Sequence, residues 1–227
     1  MLPLSREYGV VMRVDVLGPL AVMCGPKRAT IPGPRLQAVL GVLALRAGQV
    51  VSVSEPIDAA WPPGAVPATA VKTVRSHVAH LRQTLRGHRH GETLQPGHPG
   101  YLLALPATAV DRFRFEQAAA AGRALRDGGE HGAAVAQFRA ALAHWRGEVL
   151  AGCDLHGWAA ADATRLAEAR LVVTEDKVAA ELAAGQHREV VAELEYLVRR
   201  HPFRERFWEL LMLALHTTGR QADALAA

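Results

Sequence analysis

The sequence predicts two parts: an α+β winged helix–turn–helix over residues 11–108, then an all-α array of tetratricopeptide-like helical pairs over 111–227. Three observations carry this. From Pro67 to Arg86 runs an amphipathic basic stretch that stands third in a row of helical segments and directly before a β-hairpin. Every segment after residue 111 has helical period. Turn sequences within that second half repeat at a spacing of 34 residues.

Val11 to Val22 alternates in hydropathy and breaks at Leu17-Gly18-Pro19-Leu20, which predicts one strand and a hairpin partner. Pro32-Gly33-Pro34 opens a helix with Leu36, Val39, Leu40 and Leu43 on one face, and Gly48 stops it. Val50-Val51 is long enough only for a bridging strand. Ser52-Val53-Ser54-Glu55 matches a capping box ahead of a short helix through Ile57 to Trp61. Pro67 then starts the basic helix, where a missing N–H costs least. Leu94-Gln95 and Tyr101-Leu102-Leu103 flank Pro96-Gly97-His98-Pro99-Gly100 and read as two short strands joined by a turn.

In the basic helix Val71, Val74, Val78, Leu81 and Leu85 recur at spacings of three and four, which predicts one buried stripe. The opposite face carries Lys72, Ser76, Ala79, His80 and Gln83, flanked by Thr73, Arg75, Arg82 and Arg86. No Asp or Glu occurs from Ala59 to Gly91. Solvated faces normally mix both charge signs, whereas a DNA major groove selects an acid-free basic face. The wider charge balance agrees. Residues 1–110 hold eleven Lys or Arg against five Asp or Glu, and residues 111–227 hold fifteen against seventeen. A polyanionic partner is therefore expected at the first part only.

In the second half, Phe115, Ala118, Ala119 and Leu125 mark one helix, and Val135, Phe138, Leu142 and Trp145 the next. A loop with Gly147, Gly152, Cys153 and Gly157 precedes a long helix with Leu166, Leu171, Val178 and Leu182. Two more helices follow, with Val190, Leu194, Leu197 and Val198, then Phe207, Leu210, Leu211 and Leu215. Ala184-Gly185-Gln186-His187 is echoed by Thr218-Gly219-Arg220-Gln221, and Gly128-Gly129-Glu130-His131 is an earlier copy. Stacked helix pairs of this kind leave a concave surface for partners. The chain stops partway into the helix that Gly219 introduces, as the front part of a longer protein would.

Other classes find little support. Cys24 and Cys153 lack metal-ligand spacing and read as free thiols of a reducing cytosol. The first ten residues contain Glu7 and lack the order of a signal peptide, and no run approaches a membrane span. His88, His90 and His98 sit in loops beside the basic helix and are expected to meet phosphate or water, not a metal. Trp61, Trp145, Trp158 and Trp208 are expected as core anchors. No phosphate-binding loop, nucleophile elbow or His-Glu-x-x-His pair is present, so neither a catalytic residue nor a cofactor is expected.

The chain resembles the Streptomyces antibiotic regulatory protein (SARP) family of transcriptional activators. Those join an OmpR-type winged-helix domain to a bacterial transcriptional activator domain (BTAD). The resemblance is carried by Val16-Leu17-Gly18-Pro19-Leu20, Ala60-Trp61, Thr73-Val74 through Leu81-Arg82, and Pro99-Gly100-Tyr101-Leu102-Leu103. Trp145-Arg146-Gly147, His201-Pro202-Phe203-Arg204-Glu205-Arg206-Phe207-Trp208 and Gly219-Arg220-Gln221-Ala222-Asp223-Ala224-Leu225 complete it. It implies a cytoplasmic, nucleoid-associated activator of secondary-metabolite (antibiotic biosynthesis) promoters, bound as a head-to-tail dimer on direct repeats of double-stranded DNA. It also implies recruitment of RNA polymerase through the sigma factor and alpha subunit. Base readout is expected from Arg75, Ser76, Ala79 and His80, and phosphate positioning from Lys72, Thr73, His77, Arg82, Gln83 and Arg86. His98 and Tyr101 belong to the wing, where Gly97 replaces the basic residue usual in relatives. The alternatives are a repeat-based interaction adaptor, or the N-terminal part of a larger signalling regulator.

Overall fold

A computed structural model describes residues 12–226, with the side chain of Ala226 left aside. Val11, Glu7 and Ala227 lie outside the described residues, and so do the first ten residues as a whole. Three short strands come first: β1 (Met12–Asp15), β2 (Ala21–Cys24) and β3 (Lys27–Ala29), forming an antiparallel sheet in that order. The sequence predicted the first two. β3 escaped notice because Lys27-Arg28-Ala29 has two exposed basic residues and one buried alanine, too short an alternation to register. Helix α1 (Pro34–Leu45) follows, then β4 (Val50–Ser52) and α2 (Ser54–Ala60). Glu55 accepts the Ser52 N–H at 2.9 Å, the backward half of the capping box.

The basic helix α3 spans Ala70–Gly87, three residues later than Pro67 suggested. Pro67 instead opens a turn closed by the Ala70 N–H on its carbonyl, 2.9 Å away. The buried stripe also differs in its first turn. Ala70 is buried and Val71 is 44% exposed, so the buried face is Ala70, Val74, Val78, Leu81 and Leu85. The hairpin is β5 (Leu94–Gly97) and β6 (Gly100–Leu103), and β4 pairs on the other edge of β6. Its inner face brings Leu94 and Leu103 into the core.

The second half contains α4 (Asp111–Asp127), α5 (His131–Leu142), α6 (Gly157–Ala183), α7 (His187–Arg200), α8 (Glu205–Thr217) and α9 (Gln221–Ala226). Trp145 falls beyond the end of α5. Of the four tryptophans only Trp61 is fully buried. The others are half-buried at junctions, where Trp158 donates to the Glu55 carbonyl and Trp208 to that of Pro202.

The described chain forms two compact units, and they do not follow chain order. One takes residues up to Arg114 together with His144–Ala167, and the other takes Phe115–Ala143 with Glu168–Ala227. In the first unit, α1 is buried on nearly every side. One reason is Leu150, whose side chain fills the space a Cβ on Gly41 would need, 2.6 Å from that position. The 144–150 segment also donates from Arg146 and Leu150 to the carbonyls of Leu17 and Val16, at 2.7 and 2.9 Å. Asp111, 1% exposed, accepts the Val16 and Leu17 N–H groups at 2.7 and 3.0 Å. Burial pushes its carboxyl above the usual range despite those bonds. Cys24 and Cys153 are free, and burial raises both thiols, Cys153 to about 11.

In the second unit three helix ends share one geometry. Gly129, Gly185 and Gly219 have φ of +80, +84 and +82°. The residue after each donates back to the carbonyl five positions earlier: Glu130 to Leu125, Gln186 to Glu181, Arg220 to Leu215. This is the Schellman closure, which needs a residue free to adopt the left-handed region. The sequence echo is thus a backbone echo. Val178, Leu182, Val190, Leu194, Phe207 and Leu211 share one core among the helices joined at the Gly185 and Gly219 turns.

Candidate nucleic-acid interface

α3 is seated by its five buried residues, which leaves the rest of its circumference to solvent. Lys72, Arg75, Ser76, Ala79, His80, Gln83 and Arg86 are all exposed. Thr73 and His77 are half-buried at the edge of this face, and the Thr73 hydroxyl donates to the Thr69 carbonyl at 3.1 Å. Within α3 no carboxylate interrupts the basic surface. All four residues expected for base readout, Arg75, Ser76, Ala79 and His80, therefore share one open face with Lys72 and Gln83.

Arg82 is placed differently. Its Nε donates to the Leu94 carbonyl at 2.8 Å, and its guanidinium lies 5.6 Å from the centre of the Tyr101 ring. It ties the recognition-type helix to the hairpin, and Tyr101 is half-buried beneath it. At the hairpin tip Gly97 faces Gly100, and His98 is exposed. Gly100 is required there: a Cβ would stand 1.9 Å from the Val51 carbonyl oxygen.

Arg35 adds a cation that sequence reasoning missed. It is exposed at the start of α1, its guanidinium is 5.7 Å from the Trp61 ring centre, and its charge is felt at His77. Burial first, then Arg35 and His80, hold the His77 pKa below the ordinary value. The only sequence signal for Arg35 was its place beside Pro34, and nothing linked it to a helix forty residues on.

Beyond Gly87 the helix closes on Arg89, a non-glycine residue at φ +66°. Gly91 lets the Arg86 side chain cross, since a Cβ there would meet Arg86 Cγ at 2.0 Å. Burial and neighbouring His88 lower the His90 pKa. Among the described residues no group of His, Cys, Asp and Glu could hold a metal ion, and no helix is long and apolar enough to cross a membrane.

Comparison with known proteins finds similarity along nearly the whole chain. Residues 110–227 match the family model described as bacterial transcriptional activator domain. Regulatory protein DnrI of Streptomyces peucetius is 33% identical over 223 residues, covering 95% of this chain and 82% of that protein. Regulatory protein AfsR of Streptomyces griseus is 36% identical over 215 residues, but this chain spans only 22% of its length. Among solved structures, Mycobacterium tuberculosis EmbR in complex with a low-affinity phosphopeptide superposes with a TM-score of 0.89 at 32% identity. That match covers 95% of this chain and 57% of the EmbR chain.

Proposed function

The chain belongs to the Streptomyces antibiotic regulatory protein family of transcriptional regulators, and from that premise we propose that it is a non-enzymatic, sequence-specific DNA-binding activator acting in the cytoplasm. The observation that supports this best is the acid-free exposed face of α3, held rigidly by five buried residues beside a β-hairpin. A helix so presented fits the major groove, with the hairpin against the neighbouring backbone.

In this reading residues 11–108 form the DNA-binding part and 111–227 the activator part, with His144–Ala167 packed onto the former. Arg75, Ser76 and His80 face base edges, Arg75 being suited to bidentate contact with guanine. Ala79 leaves room for a thymine methyl. Lys72, Thr73, His77, Gln83, Arg86 and Arg35 position phosphates, and His98 lies along the backbone at the wing. Two copies bind head-to-tail on direct repeats at promoters of a secondary-metabolite cluster, and recruit RNA polymerase through its sigma factor and alpha subunit.

Footprinting on the promoters of the neighbouring genes tests this. Protection of two repeats on one face of the DNA, extended when RNA polymerase is added, is the expected result. An absence of protection at any promoter, with steep binding to a protein partner instead, would favour the adaptor reading. Salt dependence adds a second check, since log K should fall linearly with log salt with a slope of about −0.9 per neutralised phosphate.

A further inference from the structure

We propose that Arg89, in the turn that closes α3, holds a backbone phosphate of duplex DNA; this rests on the DNA reading of α3 and extends it past the helix end. The turn is built like the three glycine closures of the second unit. The Arg89 N–H donates to the carbonyl three positions earlier, that of Arg86, at 2.9 Å, and the His90 N–H to the carbonyl five earlier, that of Leu85, at 2.8 Å. Gly129, Gly185 and Gly219 donate in the same way to Arg126, Leu182 and His216. Glycine takes the left-handed position in those three turns, and arginine takes it in this one at φ +66°. A Cβ makes that conformation costly, whereas glycine enters it freely. The Arg89 side chain returns nothing to the fold for this cost: it is exposed and makes no hydrogen bond, ion pair or ring contact among the described residues. Backbone strain of this kind collects where a side chain serves binding.

The neighbours of Arg89 select the ligand. Lys72, Ser76, Ala79, Gln83 and Arg86 follow one another at spacings of three and four and are all exposed, so the stripe proposed to face DNA runs down to Arg86. Arg86 and Arg89 then line one open depression of about 350 Å³ with His90, Gly91, Glu92 and Thr93. Glu92 is the one carboxylate in that lining. It is exposed and pairs with neither arginine, so two guanidinium groups stand against one carboxylate and the surplus is positive. Guanidinium forks set side by side match the oxygens of a phosphate. Their place at the end of the stripe favours the duplex backbone over an acidic peptide, because phosphates border the groove in which such a stripe lies.

The test uses the full chain and a fluorescently labelled random-sequence DNA duplex, with affinity followed by anisotropy over a salt series. Arg89→Gly relieves the turn and removes the charge, so it melts no lower than the parent chain. It binds the duplex about threefold or more weaker at low salt, and its slope of log K against log salt is shallower by about one unit. Arg89→Lys, which keeps the charge, keeps the parent slope. The proposal alone is overturned if the parent binds the duplex and Arg89→Gly matches it in affinity and slope; the DNA reading of α3 then stands. A parent chain that leaves the duplex unbound at every salt concentration removes that reading and this assignment together. Melting of Arg89→Gly below the parent also overturns the proposal, because the arginine then braces the fold. So does tighter binding of a Glu-rich peptide than of the duplex, lost in Arg89→Gly, because the occupant is then an acidic protein segment.

Discussion

Replacing Arg82 by Ala separates two roles that look alike in the sequence. As a phosphate contact, Arg82 would reach away from the protein. In the structure it reaches inward, with Nε 2.8 Å from the Leu94 carbonyl, the guanidinium over Tyr101, and Nη2 shut off from solvent. A hydrogen bond from a charged donor contributes about 1.5–3 kcal/mol, and a partly desolvated cation–π contact about 0.5–2 kcal/mol. One side chain makes both, so they do not add fully. Their loss should weaken attachment of the hairpin to α3 by about 2–3 kcal/mol. Local opening free energy sets amide exchange, so backbone amides of β5 and β6 should exchange at least roughly thirtyfold faster in Arg82→Ala. DNA affinity should fall for specific and nonspecific sequences alike, while the slope of log K against log salt stays unchanged. A phosphate contact predicts the opposite pair: unchanged exchange in the hairpin and a slope shallower by about one unit. That result would refute the strut.

Three further outcomes follow from the same geometry. Arg75→Ala should relax preference at one base position by about 1–3 kcal/mol in competitive titrations against single-base operator variants, with little change in melting temperature. Asp111→Ala leaves two buried N–H groups unpartnered, at about 1–3 kcal/mol each, so exchange at Val16 and Leu17 should rise sharply; Asp111→Asn, which keeps one acceptor, should cost less. The His77 pKa is lowered in the folded chain, so its contribution to stability is complete above 6.5 and is lost as pH falls from there through the depressed value. An NMR titration should find its midpoint below 6.5, and His77→Phe should flatten the pH dependence of stability in that window.

Much of the architecture was legible because it rests on local periodicity. Val74, Val78, Leu81 and Leu85 announce their shared face by spacing alone, and Gly129, Gly185 and Gly219 announce helix closures because few other residues enter the left-handed region without strain. The errors came where a competing local rule was weak. Pro67 fits both a first helical turn and the turn before it, and Ala70 and Val71, four and three positions before Val74, both fit the spacing of one helical face, so periodicity alone misplaced Val71. Arg89 closes α3 as the glycines close the repeats, but nothing in an arginine signals φ of +66°.

What the sequence by itself determined is the order of elements, the acid-free face of α3 and the repeat period, since each depends on residues close together in the chain. Tertiary structure alone decided which cations point outward and which brace the fold. Arg82 and Arg86 are alike in sequence, yet the first is bound to the Leu94 carbonyl and the second is exposed. Only the fold could bring Arg146 and Leu150 to the backbone of Val16 and Leu17, and Arg35 to the neighbourhood of His77. Those contacts join residues about 40 to 130 positions apart, where helical and strand periodicity carry no information and long-range packing determines the partners.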